Sequence, residues 1–217
     1  MKRRCGRIRA AAAAAILALV LTPFPVAAAT LDDLMQAVDL GDQSTVADLV
    51  QRGMDVNSTD ALGNTLLMIA ARNGYSSVTE FLLQKRAKTE ARNRAGDTAL
   101  MLASLKGHTE VARLLVDAGA KMNHAGWTPI AYACLEGHTE VVRLLVERGA
   151  DVNAPAPNKS TPLMLAARSG AIEIVRLLIA AGADVDASNE EGATAMAWAA
   201  SSGNTDIVEL LQAAPIR

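Results

Sequence analysis

Three sets of residues recur along this chain at one shared step. Thr65, Thr98, Thr128, Thr161 and Thr194 lie 33, 30, 33 and 33 residues apart. Gly41, Gly74, Gly107, Gly137, Gly170 and Gly203 keep the same steps. So do Gly53, Gly119, Gly149 and Gly182, with Arg86 in the one slot where glycine is missing. A segment of that length is one supersecondary unit, which cannot bury its apolar face alone and must stack on copies of itself. The repeat therefore predicts a solenoid.

Each unit reads as helix, turn, helix, loop. In the fourth unit Thr128 can cap the orphan amides of a helix, and Pro129 suits its first position. Ile130, Ala131, Ala133 and Cys134 are small or apolar and allow close helix packing. Gly137 ends the helix, because a left-handed residue there costs glycine nothing. Glu140 to Glu147 carries an apolar stripe at helical spacing, and Gly149 stops it. Ala150-Asp151-Val152-Asn153 leads into an extended finger.

Gly126-Trp-Thr-Pro-Ile130, Gly137-His-Thr-Glu followed by the helix to Asn153, and Thr161-Pro-Leu-Met-Leu-Ala-Ala167 carry a resemblance to the ankyrin repeat family. The resemblance covers residues 31 to about 214 and implies an all-α solenoid of about six helix-turn-helix units joined by β-hairpin-like fingers. The units are about 31–60, 61–93, 94–124, 125–154, 155–187 and 188–214, within one domain from residue 30 to 217. The first unit lacks Thr-Pro and carries Asp32, Asp33, Gln36 and Asp39, while the last has Thr194-Ala195 and stops at Pro215. These read as end caps, which a solenoid needs for solubility. Where the family often has His, this chain has Met68, Met101 and Met164, or Ala131 and Ala197. These methionines read as core filler. The third finger is three residues short between Asn123 and Trp127, and the fourth has Pro155, Pro157 and Lys159 in a glycine slot. Both fingers are expected to differ in shape from the others.

The first thirty residues have another character. Lys2, Arg3, Arg4, Arg7 and Arg9 form a basic head, residues 10–21 are all apolar, and Ala27–Ala29 meet the A-x-A rule. This is the pattern of a secretory signal cleaved before Thr30. An uncleaved anchor fits less well, because the run falls short of the roughly 20 residues that span a bilayer. The Arg3–Arg4 pair has no other twin-arginine feature around it. The alanine-rich signal resembles bacterial ones, so the expected place is the periplasm, or outside the cell. No stable membrane insertion is expected after cleavage.

Charge follows the same division. The whole chain is −2, but taking the five basic residues of the head from 21 leaves 16 against 23 acidic, a net of −7. Such a body repels phosphate backbones, which argues against nucleic acid as a partner. With 51% hydrophobic residues the chain is not disordered, and with 3% aromatic it is no base-stacking module. Its two cysteines cannot make a disulfide scaffold, and signal cleavage would leave Cys134 alone.

Reaction chemistry has no motif here. His108-Thr-Glu110 and His138-Thr-Glu140 resemble the His-x-Glu of zinc deaminases, but the required Pro-Cys-x-x-Cys is missing. Both share one repeat phase, and equivalent residues on neighbouring helices sit about 10 Å apart. Two imidazoles on one zinc need nitrogens within about 4 Å. No metal or cofactor is expected. Cys134 sits in an alanine slot, as a buried small hydrophobe would. Asn57-Ser-Thr and Asn158-Lys-Ser are glycosylation acceptors that matter only in a eukaryotic secretory pathway.

What remains is surface. The resemblance implies binding of another protein by finger tips and the adjoining inner-helix face. The matching positions are Leu62, Asn64, Arg72, Asn73, Arg94, Asp97, Leu105, Lys106, Trp127, Leu135, Glu136, Asn158, Ser160 and Arg168. Trp127 either reaches solvent beside Leu105 and Leu135 as an interface anchor or packs over the short third finger. Tyr132 and Trp198 read as packing between units. Lys85, Arg86, Lys88, Arg92 and Arg94 make the second finger basic, while Asp184, Asp186, Glu190 and Glu191 make the last acidic. The expectation is a monomeric, non-catalytic adaptor or regulator in the bacterial periplasm. The alternatives are an effector acting on a host or neighbour protein, and an enzyme with an unrecognised site.

Overall fold

The computed structural model describes residues 30–214, so the signal-peptide reading of residues 1–29 and the stop at Pro215 lie outside the described residues. Twelve helices run through the described residues in six pairs. They are α1 Leu31–Asp39, α2 Gln43–Gln51, α3 Leu66–Asn73, α4 Ser76–Gln84, α5 Ala99–Lys106, α6 Thr109–Asp117, α7 Pro129–Glu136, α8 Thr139–Glu147, α9 Pro162–Ser169, α10 Ile172–Ala180, α11 Ala195–Ser201 and α12 Thr205–Gln212. None is long and apolar enough to cross a membrane. The odd helices stack into an inner row and the even helices into an outer one. This is an all-α solenoid of six helix pairs, as the resemblance implies.

The inner row is close-packed because one slot is always alanine. Ala70, Ala103, Ala133, Ala166 and Ala199 are all fully buried, so neighbouring backbones can approach. Leu67, Leu100, Ile130 and Leu163 fill the space between units, also without exposure. The outer helices keep one apolar stripe, such as Val141, Val142 and Leu145 in α8, and leave Glu140 and Arg143 in water.

The recurring threonines do what their position requires. The hydroxyls of Thr65, Thr98, Thr128, Thr161 and Thr194 accept the third helical N–H at 3.2–3.4 Å. The methionine slots complete this cap. Met68, Met101 and Met164 are buried, and each Sδ accepts the N–H of its own threonine at 3.4 Å. They are core residues, as expected, and weak acceptors as well.

The left-handed turns survive loss of glycine. Arg86 holds φ +62° and Lys159 +60°, the region their glycine-slot positions demand. Lys159 closes the fourth finger with the same bonds as its neighbours. Ala156 donates to Ser160 O at 2.9 Å and Lys159 to Ala156 O at 2.8 Å, matching Asn93 to Asp97 O and Gly96 to Asn93 O. The expectation that this finger differs is thus corrected: its two prolines lie where no donor is needed. The third finger does lack this pair of bonds. Antiparallel bridges form only at Thr59–Thr65 and Ser188–Thr194 among the described residues. The other fingers are turns.

One side-chain ladder ties the finger bases. Asn57, Glu90, Asn123 and Asn153 each accept a backbone N–H of the next unit, from Lys88, Lys121, Asp151 and Asp184, all at 2.9 Å. At the ends, α1 exposes Asp32, Asp33, Gln36 and Asp39, as a cap should, but Leu31 and Leu40 are exposed too.

Candidate protein-binding face

The first and second fingers are joined as one. Arg94 N–H donates to Leu62 O at 3.1 Å, and Asn93 Nδ2 donates to Asn64 Oδ1 at 2.9 Å. Asn64 is also held by Asp60, which accepts both its amide and its side chain at 2.8 Å. Burial pushes the Asp60 carboxyl up, but the bonds from Asn64 and from the Leu62 amide, with Arg72 nearby, bring it below the ordinary value.

Between these fingers and the inner helices lies a groove of about 450 Å³. Leu62, Ala95 and Leu102 give it an apolar lining, and Arg72 and Arg94 bring charge. Leu62 is 60% exposed and so offers its apolar side chain to the groove. The groove thus unites four expected residues, Leu62, Asn64, Arg72 and Arg94. Asn64 serves as its floor only, since its side chain is committed to Asp60 and Asn93 and is buried. Arg72 meets Asp39 at 3.5 Å, and Asn73 donates to the same carboxylate at 3.0 Å.

The middle of the face is aromatic. Trp127 is half-buried and stacks on Tyr132 with centroids 5.1 Å apart and planes at 17°. The Tyr132 hydroxyl donates to Asp97 Oδ1 across 2.8 Å, joining the fourth unit to the second finger. Burial, then that bond and the Asp97 charge, pushes the phenol up to about 12. Trp127 is therefore packed within its own unit rather than standing free, and Asp97 is engaged rather than waiting for a partner. Leu105 and Leu135 are half-buried on either side in sequence, with Lys106 and Glu136 exposed.

Towards the C-terminal end, Arg168 lies 4.8 Å above the Trp198 ring, so Tyr132 and Trp198 both bridge units, as expected. Asn158 is exposed, its own side chain accepts Ser160 N–H at 3.1 Å, and its carbonyl accepts Glu190 N–H at 3.1 Å. Ser160 is 1% exposed, so its place on the binding face is corrected: the finger closes over it.

Residues outside the expected set matter too. Leu102 shares its repeat slot with Tyr132 and Trp198, which was the signal available in the sequence; reading those aromatics as packing hid the slot's groove-facing role. His124 in the short finger is another. Its Nδ1 lies 2.9 Å from Arg92 Nη2, and a guanidinium only donates, so Nδ1 accepts.

The two His-Thr-Glu sites are structural. His108 Nε2 lies 3.0 Å from Arg72 O and His138 Nε2 3.1 Å from Leu105 O, so each Nε2 carries the proton and donates. Cys134 is fully buried, and burial pushes its thiol far up, which suits a core atom and not a nucleophile.

The family of ankyrin repeats (3 copies) matches residues 34–125, 87–156 and 155–216. The chain belongs to the ankyrin repeat family. No curated protein matches it. A chain from the solved structure of the Bd0816 predatory endopeptidase of Bdellovibrio bacteriovorus in complex with the immunity protein Bd3460 is similar. The identity is 31% with a TM-score of 0.74, over 82% of this chain and 96% of that one. It is one of 623 matching chains, so likeness of an ankyrin frame does not by itself choose a partner. The ankyrin membership and that neighbour's complexed state together indicate a protein-interaction module.

Proposed function

We propose that this ankyrin chain is a non-catalytic adaptor or regulator of the bacterial periplasm that holds another protein against its concave face, acting as a monomer. The observation that carries the reading is the groove of Leu62, Leu102, Arg72 and Arg94 on two fingers already bonded to each other. A surface fixed before binding loses little freedom when the partner arrives, which favours affinity. The signal pattern of residues 1–29 supports the compartment.

The test is affinity capture from envelope extract of the native organism, with Leu62→Glu/Arg94→Glu protein as control. Both side chains are exposed, so the control keeps its fold. A protein enriched by the native chain and lost with the control is the expected result. Identical recovery by both would refute binding through this face.

One observation favours a narrower reading, in which the partner is an enzyme that the chain blocks. The similar solved chain comes from a complex of an endopeptidase with an immunity protein. Assay of the captured protein with and without this chain decides it: stoichiometric inhibition supports the reading, and unchanged activity rejects it.

A further inference from the structure

The two ends of the face carry opposite charge, and the basic end carries a groove beside a free charge. Residues 85–94 hold five basic side chains and a single acid, Glu90. That acid is turned to the frame, accepting Lys121 N–H. Arg92 is likewise committed, donating to Gly96 O at 2.6 Å and to His124. Arg72 is met by Asp39. Arg94 differs from all of these. Its side chain has no acidic partner or hydrogen bond among the described residues, while its backbone is pinned to Leu62 O and lies against Gly63. An exposed guanidinium thus stands on a fixed base at the rim of an apolar groove.

From this geometry we infer that the groove takes a partner segment in which an Asp or Glu lies beside an aliphatic side chain. The inference rests on the protein-binding reading above and names the partner's chemistry. The aliphatic group seats on Leu62, Ala95 and Leu102, and the carboxylate pairs with Arg94, whose planar fork donates two N–H bonds to it. The body as a whole is acidic, net −7 without the head, so such a segment is drawn to the basic cluster of the second finger. At the other joined pair of fingers Lys159 is outnumbered by exposed Asp184, Asp186, Glu190 and Glu191, so a carboxylate there meets a net negative surface.

A random peptide display library selected on immobilised protein tests this, with native, Arg94→Lys and Arg94→Glu forms as baits. Native protein should enrich sequences with Asp or Glu next to Leu, Ile, Val or Met. Arg94→Glu should lose them and enrich sequences with Lys or Arg in the acidic place, whereas Arg94→Lys keeps the acidic set more weakly. For a single enriched peptide, Glu→Gln should lower affinity about fivefold, the upper end for an exposed pair, and rising salt should close the gap. Enrichment without acidic residues, or of the same sequences on native and Arg94→Glu protein, would overturn the inference and leave protein binding elsewhere on the face intact. Enrichment of nothing on a bait with the far-UV circular dichroism of the folded solenoid would overturn both.

Discussion

The turn glycines that end the inner helices face two demands, and only some face both. Gly107 has φ +74° and Gly137 has φ +77°, so any side chain at either pays the left-handed cost of about 1–2 kcal/mol. Alanine recovers about 0.4–1 kcal/mol of that by stiffening the unfolded chain. Gly137→Ala should therefore cost about 1 kcal/mol, because its new Cβ meets nothing nearer than Ala171 Cβ at 4.0 Å. At Gly107 the same atom would sit 2.6 Å from His138 Nδ1 and 2.7 Å from Cε1. The imidazole must move, which strains or breaks its 3.1 Å bond to Leu105 O, a further loss of about 1–2 kcal/mol. Gly107→Ala should thus cost about 2–3 kcal/mol, read by urea unfolding followed by circular dichroism, with a lower midpoint and an unchanged slope. The decisive arm is the double variant. In a His138→Ala background, where the obstacle is gone, Gly107→Ala should cost no more than Gly137→Ala does alone. Equal costs for the two glycines in the native background, or no relief in the double variant, would refute the account of imidazole stacking as the reason for glycine.

Other outcomes follow from the same structure. In a Tyr75→Phe background the 295 nm absorbance of Tyr132 should rise with a midpoint near pH 12, and Asp97→Asn should lower it. The sign follows: the folded phenol is raised above its unfolded value of about 10, so its stabilising contribution is complete below that pH and is lost as pH climbs towards 12. Met101→Leu keeps the volume but leaves the buried Thr98 N–H without its sulfur acceptor, so it should cost about 1 kcal/mol in urea, and Met101→His should restore part of it. Cys134 should resist a disulfide reagent such as Ellman's at pH 8 in the native protein and react at once when the chain is unfolded. Ala171→His should stabilise the protein in the same urea assay by about 1 kcal/mol, by adding the bond that His108 and His138 make.

The parts of the fold legible in the sequence are those that backbone chemistry enforces locally. A threonine that must cap and a glycine that must turn left recur with the unit, so their spacing reveals the units. Even Arg86 and Lys159 could be read as left-handed from their slots alone. The fingers were less legible, because their side chains bond across units and not along the chain. Asn64 and Ser160 have the polarity of exposed loop residues, yet each is buried by its finger's own closure, Asn64 further held by Asn93 of the next finger. The proline-bearing fourth finger read as unusual, but a turn needs particular N–H groups only, and Pro155 and Pro157 do not supply them. The stacking of Trp127 on Tyr132 was open for the same reason: two side chains five residues apart in sequence could face each other or a partner, and only three-dimensional placement decides.

That division also explains where partner choice must reside. The frame residues are spent on each other: Tyr75, His108, His138 and Asn204 each donate to a carbonyl of the preceding unit. At the fourth-to-fifth junction Ala171 cannot, and Ser169 Oγ donates to Cys134 O at 3.1 Å instead. The fingers repeat this arrangement in another form. The first and second are joined by backbone, as are the fourth and fifth, but the short third has no such finger-to-finger backbone bond among the described residues. The face therefore consists of two preset halves, one presenting Arg94 and the other Glu190 and Glu191, with the Trp127–Tyr132 stack between them. A partner with an acidic and a basic patch can dock on such a face in one direction only, since the reverse sets like charges against each other at both ends. Specificity then comes from the places where the repeats differ, which are the residues that a shared period cannot predict.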